Sequence, residues 1–256
     1  KQFNHGFDAA LTDLTSAVRD EPDNAEAWSW LAAIAMVQAR YGDARAACLK
    51  VGPLLTPLIG TACVAAVDAT TGHAVKAVAD MRAGMKNAPD ASPVELLWVL
   101  TRLAETEDRL GHHAEAEAAY VRAQALGLTD GYLLAAHADF LLDRGRPAEV
   151  LTLLRGKERS DLLLLRLAIA AKALNAPEAA GWAADLTARF DAARLRGDTV
   201  HQKEEARFAL AVLGDANADS GASGVVRVGA GHVALTWLVR VLDSQVKEAA
   251  NFRYEI

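Results

Sequence analysis

The sequence predicts an all-α chain, a right-handed superhelical solenoid of about six to seven antiparallel helix pairs. Two observations predict it. The first is an echo: Gly111, Ala116, Tyr120 and Ala123 recur 34 residues later as Gly145, Val150, Leu154 and Lys157. A period of that length belongs to helix-turn-helix repeats, in which small residues sit where paired helices approach most closely. The second is composition. Of 256 residues, 52% are hydrophobic, much of that Ala and Leu, and only 6% are aromatic. Ala loses no side-chain entropy in a helix and Leu little, so helix is favoured throughout.

Each element follows in order. Phe7, Ala10, Leu14 and Ala17 mark an amphipathic helix closed by Asp20-Glu21-Pro22-Asp23-Asn24. The next opens at Ala25-Glu26-Ala27-Trp28 and runs through Leu31 and Ala32, with Trp28 expected in the core. Gly42-Asp43 comes late, as though that helix had gained most of a turn. Helices over 43–51 and 57–68 are expected to pack antiparallel. The unit marked by Gly72, Ala77, Gly84 and Pro89 has Thr61, Val64 and Ala65 on its first helix, with no large leading residue.

A later pair covers 161–174 and 177–190, with Ala168 and Ala180 in the small slots and Pro177 in a helical first turn. One more helix runs over 200–213, completing an array over 1–213. Residues 214–232 are rich in Gly, Ala, Ser and Asp and exceed the usual connection of about 2 to 8 residues. They read as a flexible link, with Val225, Val226 and Val228 as an anchor or short strand. Residues 233–256 read as a terminal helix completing the last pair. Residues 1–6 give the first helix almost no partner, and no polar-faced capping helix follows the last, as in a fragment or processed form.

Trp28, Leu31, Ala32 and Ala44, then Gly111, Ala116, Tyr120 and Ala123, with Pro22 and Pro89 in closing positions, resemble the tetratricopeptide repeat (TPR) pattern. The Ala-rich repeats, Thr199-Val200-His201 before Glu204-Glu205-Ala206-Arg207, and Gln245-Val246-Lys247-Glu248 are similar, more loosely, to uncharacterised bacterial TPR proteins. The resemblance implies a non-catalytic scaffold that holds a protein or peptide in a concave groove. A second expectation is a structural or envelope-associated assembly protein that docks through its terminal helices.

A net charge of -6 argues against a nucleic-acid partner, which needs a basic face. No apolar run reaches the length of a membrane span. Enzymatic motifs are missing: Gly221-Ala222-Ser223-Gly224 is one residue short of a nucleophile elbow, and Gly229-Ala230-Gly231-His232 lacks the Lys and Ser/Thr of a P-loop. The seven histidines lack the i, i+4 pairing of a metal site, and His201 with Glu204 has no third ligand. Neither a catalytic residue nor a cofactor is expected. Cys48 and Cys63 fall on consecutive antiparallel helices, so they form either one disulfide in an exported protein or two small buried hydrophobes in a reducing cytosol. The compartment stays open, with a periplasmic or otherwise exported location slightly favoured.

The best candidate site follows from the resemblance. Trp98 and Tyr132 both occupy the second position of their first helices, which in TPR proteins tends to face the groove. Thr101, Glu105, Asp108 and Arg109 share the face of Trp98, and Ala135, Asp139 and Asp143 that of Tyr132. These slots lack the Lys, Asn and Arg of carboxylate-clamp TPRs. Only Arg109 offsets the four carboxylates, so the expected ligand has an apolar anchor flanked by Lys or Arg.

Overall fold

In a computed structural model, residues 7–197 and 202–214 are described, and among them every regular element is helical. The expected link over 214–232, its three valines, the glycine-rich motifs, His201 and the terminal helix lie essentially outside the described residues, Gly214 alone excepted. The helices are α1 (Phe7–Asp20), α2 (Ala25–Val37), α3 (Tyr41–Leu54), α4 (Pro57–Thr70), α5 (Ala74–Asn87), α6 (Pro93–Arg109) and α7 (His113–Gln124). They continue with α8 (Gly131–Asp143), α9 (Pro147–Leu154), α10 (Asp161–Ala173), α11 (Ala179–Leu195) and α12 (Gln202–Phe208), which runs into a π turn over Ala209–Leu213. The described residues up to 129 form one compact unit and those from 130 a second.

Five helix hairpins share one turn. Ala39, Gly72, Gly111, Gly145 and Asn175 all have positive φ, and each ends the first helix of a pair. In every case the next residue's N–H returns to the carbonyl five residues back: Arg40 to Ala35, His73 to Asp68, His112 to Glu107, Arg146 to Leu141 and Ala176 to Ala171. This is the Schellman arrangement, which satisfies helix-end carbonyls and reverses the chain. The hairpin turn at α2 is therefore Ala39, φ 57°, and not Gly42, which lies inside α3. No extra turn was added to α2; a non-glycine residue simply holds the left-handed position.

Beyond each turn the second helix enters in register. The fifth residue after the left-handed position is fully buried in four hairpins, as Ala44, Ala77, Ala116 and Val150. One turn further on lie Cys48, Met81, Tyr120 and Leu154, also buried. The echo fails at Lys157, because α9 ends at Leu154. It fails again at Ala180, which is exposed: α11 begins at Ala179, after Pro177, and buries Leu186, Phe190 and Ala193 instead.

The two helices of a pair start differently. The first helices α2, α4, α6 and α8 carry a polar cap, with Asn24, Thr56, Ser92 and Asp130 accepting from the backbone N–H three residues on, whereas Ser160 before α10 makes no such bond. Second helices α3, α5, α7 and α9 have no side-chain cap, since the left-handed turn already aims the chain. Thr56 also donates to Glu95 at 2.5 Å, tying the start of α4 to the Ser92–Glu95 capping box of α6.

In the first unit, α1 lays Phe7, Leu11 and Leu14 against Trp30 and Ile34 of α2. Trp30 is the core residue; Trp28 is half-buried, and its indole N–H donates to the Pro22 carbonyl at 2.9 Å. The second unit packs Leu164, Leu165 and Ala168 of α10 with Leu186 and Phe190 of α11 and with Phe208 and Val212. Cys48 on α3 and Cys63 on α4 are joined by a disulfide, with Cα atoms 5.4 Å apart.

Candidate functional site

In the first unit, two carboxylates at equivalent positions are taken out of water, each four residues before a turn glycine. Asp68 on α4 is met by Arg45 of α3 and by Lys76 of α5 at 3.5 Å. Glu107 on α6, 1% exposed, accepts from Arg82 Nη2 of α5 at 2.6 Å and lies 2.8 Å from His112 Nδ1. Each acid thus binds a cation from the preceding hairpin and a group from its own turn or second helix. Buried carboxylates need such pairing, because an unpaired charge away from water is strongly disfavoured. These clusters lock neighbouring hairpins together, with their polar atoms satisfied by the protein itself.

The expected groove residues of α6 divide in two. Trp98 is 5% exposed and Thr101 is buried, its hydroxyl donating to the Leu97 carbonyl at 2.7 Å. Neither offers surface to a ligand. The physical reason is that α6 is buried on all sides: eight successive residues, Leu97 to Ala104, are buried, so no face is left open in that stretch. Further along, Glu105 is paired with Arg102 at 3.0 Å, Asp108 lies 3.0 Å from His113 Nδ1, and Arg109 is exposed.

In the second unit, Tyr132 on α8 is half-buried, Ala135 is buried and Asp143 is exposed. Asp139 is held between two guanidiniums, Arg166 of α10 at 2.5 Å and Arg207 of α12 at 2.7 Å. Arg166 also donates to the carbonyls of Ala135 and Leu162. Burial favours the neutral acid, but the Arg166 and Arg207 charges outweigh it, so the Asp139 carboxyl is held below its ordinary range. The expectation that only Arg109 offsets the acids is therefore corrected: Arg102, Arg166 and Arg207 neutralise Glu105 and Asp139 in place.

A different surface of the first unit gathers charged side chains around an apolar floor. Between α5 and α7, over α6, lies a cleft of about 460 Å³. Arg82 and Lys86 reach it from α5, one turn apart, and Glu115 and Arg122 from α7, two turns apart. Met85, Leu100, Leu103 and Ala119 supply apolar lining. Sequence reasoning missed this set, although i, i+4 and i, i+7 spacings place each pair on one helix face. Lys86 and Arg122 have no carboxylate at ion-pair distance among the described residues.

Among the described residues, no group of three or more His, Cys, Asp or Glu side chains is placed to hold a metal ion. No described helix is long and apolar enough to cross a membrane. Compared with known proteins, the chain matches no family model and no curated sequence.

Proposed function

We propose that the chain is a non-catalytic scaffold that binds a protein or peptide on the surface of a superhelical, TPR-like repeat. The observation that carries this reading is the hairpin itself, repeated five times with the same left-handed turn and the same returning hydrogen bond. Repetition of one supersecondary unit generates extended surface, and such surfaces serve partner binding across repeat architectures. The charge chemistry supports the same reading. Buried acids are spent on holding hairpins together, while the surface cleft of the first unit combines apolar lining with charged rims, the composition of a recognition surface. Glu105, Asp108 and Arg109 in the first unit, and separately Tyr132, Asp139 and Asp143 in the second, retain some surface and remain candidates within this proposal.

A pull-down with the whole chain as bait, followed by titration of each recovered protein in purified form, tests it. Saturable, reversible binding by a purified protein is the expected result. Recovery of no protein that binds in purified form contradicts the scaffold reading.

A further inference from the structure

We infer that the cleft between α5 and α7 takes an acidic segment of a partner protein, with an aliphatic side chain as its anchor. The inference rests on the scaffold reading and names the partner chemistry for one surface. Three cations, Arg82, Lys86 and Arg122, surround the cleft; Glu107 already neutralises Arg82 and Glu115 opposes the other two, which leaves one net positive charge on Lys86 and Arg122. The rim is therefore net positive on a chain whose formal net charge is -6, so the local charge is opposite to the global one. A basic ligand is repelled at this rim, and an acidic one is steered to it over the background field.

The three cations differ in preparation. Arg82 is anchored from behind, because its Nη2 is held at 2.6 Å by Glu107, a carboxylate buried under α5 and α6. That bond fixes the side chain, so little rotamer freedom is lost when a ligand arrives. Lys86 and Arg122 are exposed and have no carboxylate partner among the described residues, so a ligand displaces no ion pair to reach them. Arg122 can grip a carboxylate through two parallel N–H groups, while Lys86 acts as a point charge. Between the charged rims, Met85 and Ala118 present apolar atoms above Leu100 and Leu103. A cleft of about 460 Å³ accommodates an aliphatic side chain and adjoining backbone, not a folded domain. An acidic, aliphatic-anchored segment satisfies both the charge and the shape.

The test is selection of peptides from a random library displayed on phage, with the whole chain as target, followed by titration of the enriched peptides in synthetic form. Enriched peptides are expected to place Asp or Glu on either side of Leu, Ile, Val or Met. Their affinity should fall about tenfold or more for the Lys86→Glu/Arg122→Glu variant, and weaken as salt rises. Both substitutions are at exposed positions, and an unchanged circular dichroism melt confirms that the variant is folded. Lys50→Glu, an exposed change on α3 outside the cleft, should leave the affinity unaltered. Peptides that bind the double variant as tightly as the parent overturn the cleft assignment while leaving the scaffold reading intact. Sedimentation of the parent, but not the variant, with phosphatidylserine vesicles, when no acidic peptide is enriched, assigns the cleft to a membrane surface and also overturns the inference. Enrichment of no peptide at any surface, without vesicle binding, overturns both readings.

Discussion

Gly60 on α4 faces Gly52 on α3 so closely that a Cβ at position 60 would lie 2.4 Å from the Gly52 Cα. One turn away the same two helices are joined by Cys48 and Cys63. Moving from 48 to 52 on α3 moves from 63 back to 60 on α4, which is the register of an antiparallel pair. The close approach and the disulfide therefore describe one interface between successive hairpins.

Gly60→Ala has to push two backbones apart, because the obstructing atom is main chain. Overpacking of this kind should cost about 2 kcal/mol. Gly181→Ala, in α11 with open space around the added methyl, should instead gain a few tenths up to about 1 kcal/mol from helix propensity. Urea unfolding of both variants checks the contrast; equal effects would remove the close-approach argument.

Reduction of the Cys48–Cys63 disulfide frees a segment spanning 15 residues. Loop-closure entropy for that length is about 3 kcal/mol, so the urea midpoint should fall in reductant and in Cys48→Ala/Cys63→Ala. Alkylation of native protein should label neither sulfur, and labelling after reduction under denaturing conditions should reach both. Free thiols in the native protein purified without reductant would contradict the bridge.

Asp139 should make stability depend on acidity in one direction. Its carboxyl is held below its ordinary value of 3.8, so the folded chain binds that proton less readily than the unfolded one. The stabilisation is fully present above 3.8 and is lost as pH falls from there through the lower folded value. The stability gap between the parent protein and Asp139→Asn should be flat from neutral pH to about 5 and should shrink below 4. A gap that widens on acidification would contradict the Arg166–Asp139–Arg207 arrangement.

Ala39 holds a left-handed conformation that costs a Cβ-bearing residue about 1 kcal/mol. Ala39→Gly should recover most of that and raise the melting temperature. Gly42→Ala, at a helical position with nothing near the added methyl, should also stabilise. A loss of stability in Ala39→Gly would mean that the turn lies elsewhere.

The helical class and the hairpin spacing were legible because they depend on local signals. Gly72, Gly111 and Gly145 mark three turns, whereas the capping roles of Asn24, Thr56, Ser92 and Asp130, though local, went unread until their hydrogen bonds were seen. The turn at Ala39 was not legible, since the left-handed conformation there is imposed by returning hydrogen bonds and not by a glycine. Trp28 and Trp30 both fit a helical core stripe, and only the packing of α1 on α2 selects Trp30. The groove assignment placed Trp98 correctly on α6, but exposure is a tertiary property, and α6 is covered on every side at that level. Asp139 carries a negative charge in sequence; its neutralisation by Arg166 and Arg207 joins residues 27 and 68 positions away and has no local signature.

The most direct measurement of the central claim is calorimetric titration of the whole chain with its strongest selected peptide at low and high ionic strength, with mass analysis of the peptide recovered afterwards. The scaffold account predicts saturable binding at one peptide per chain, weaker at high salt, with the peptide chemically intact. A peptide recovered cleaved or modified, or heat that never saturates, would contradict it.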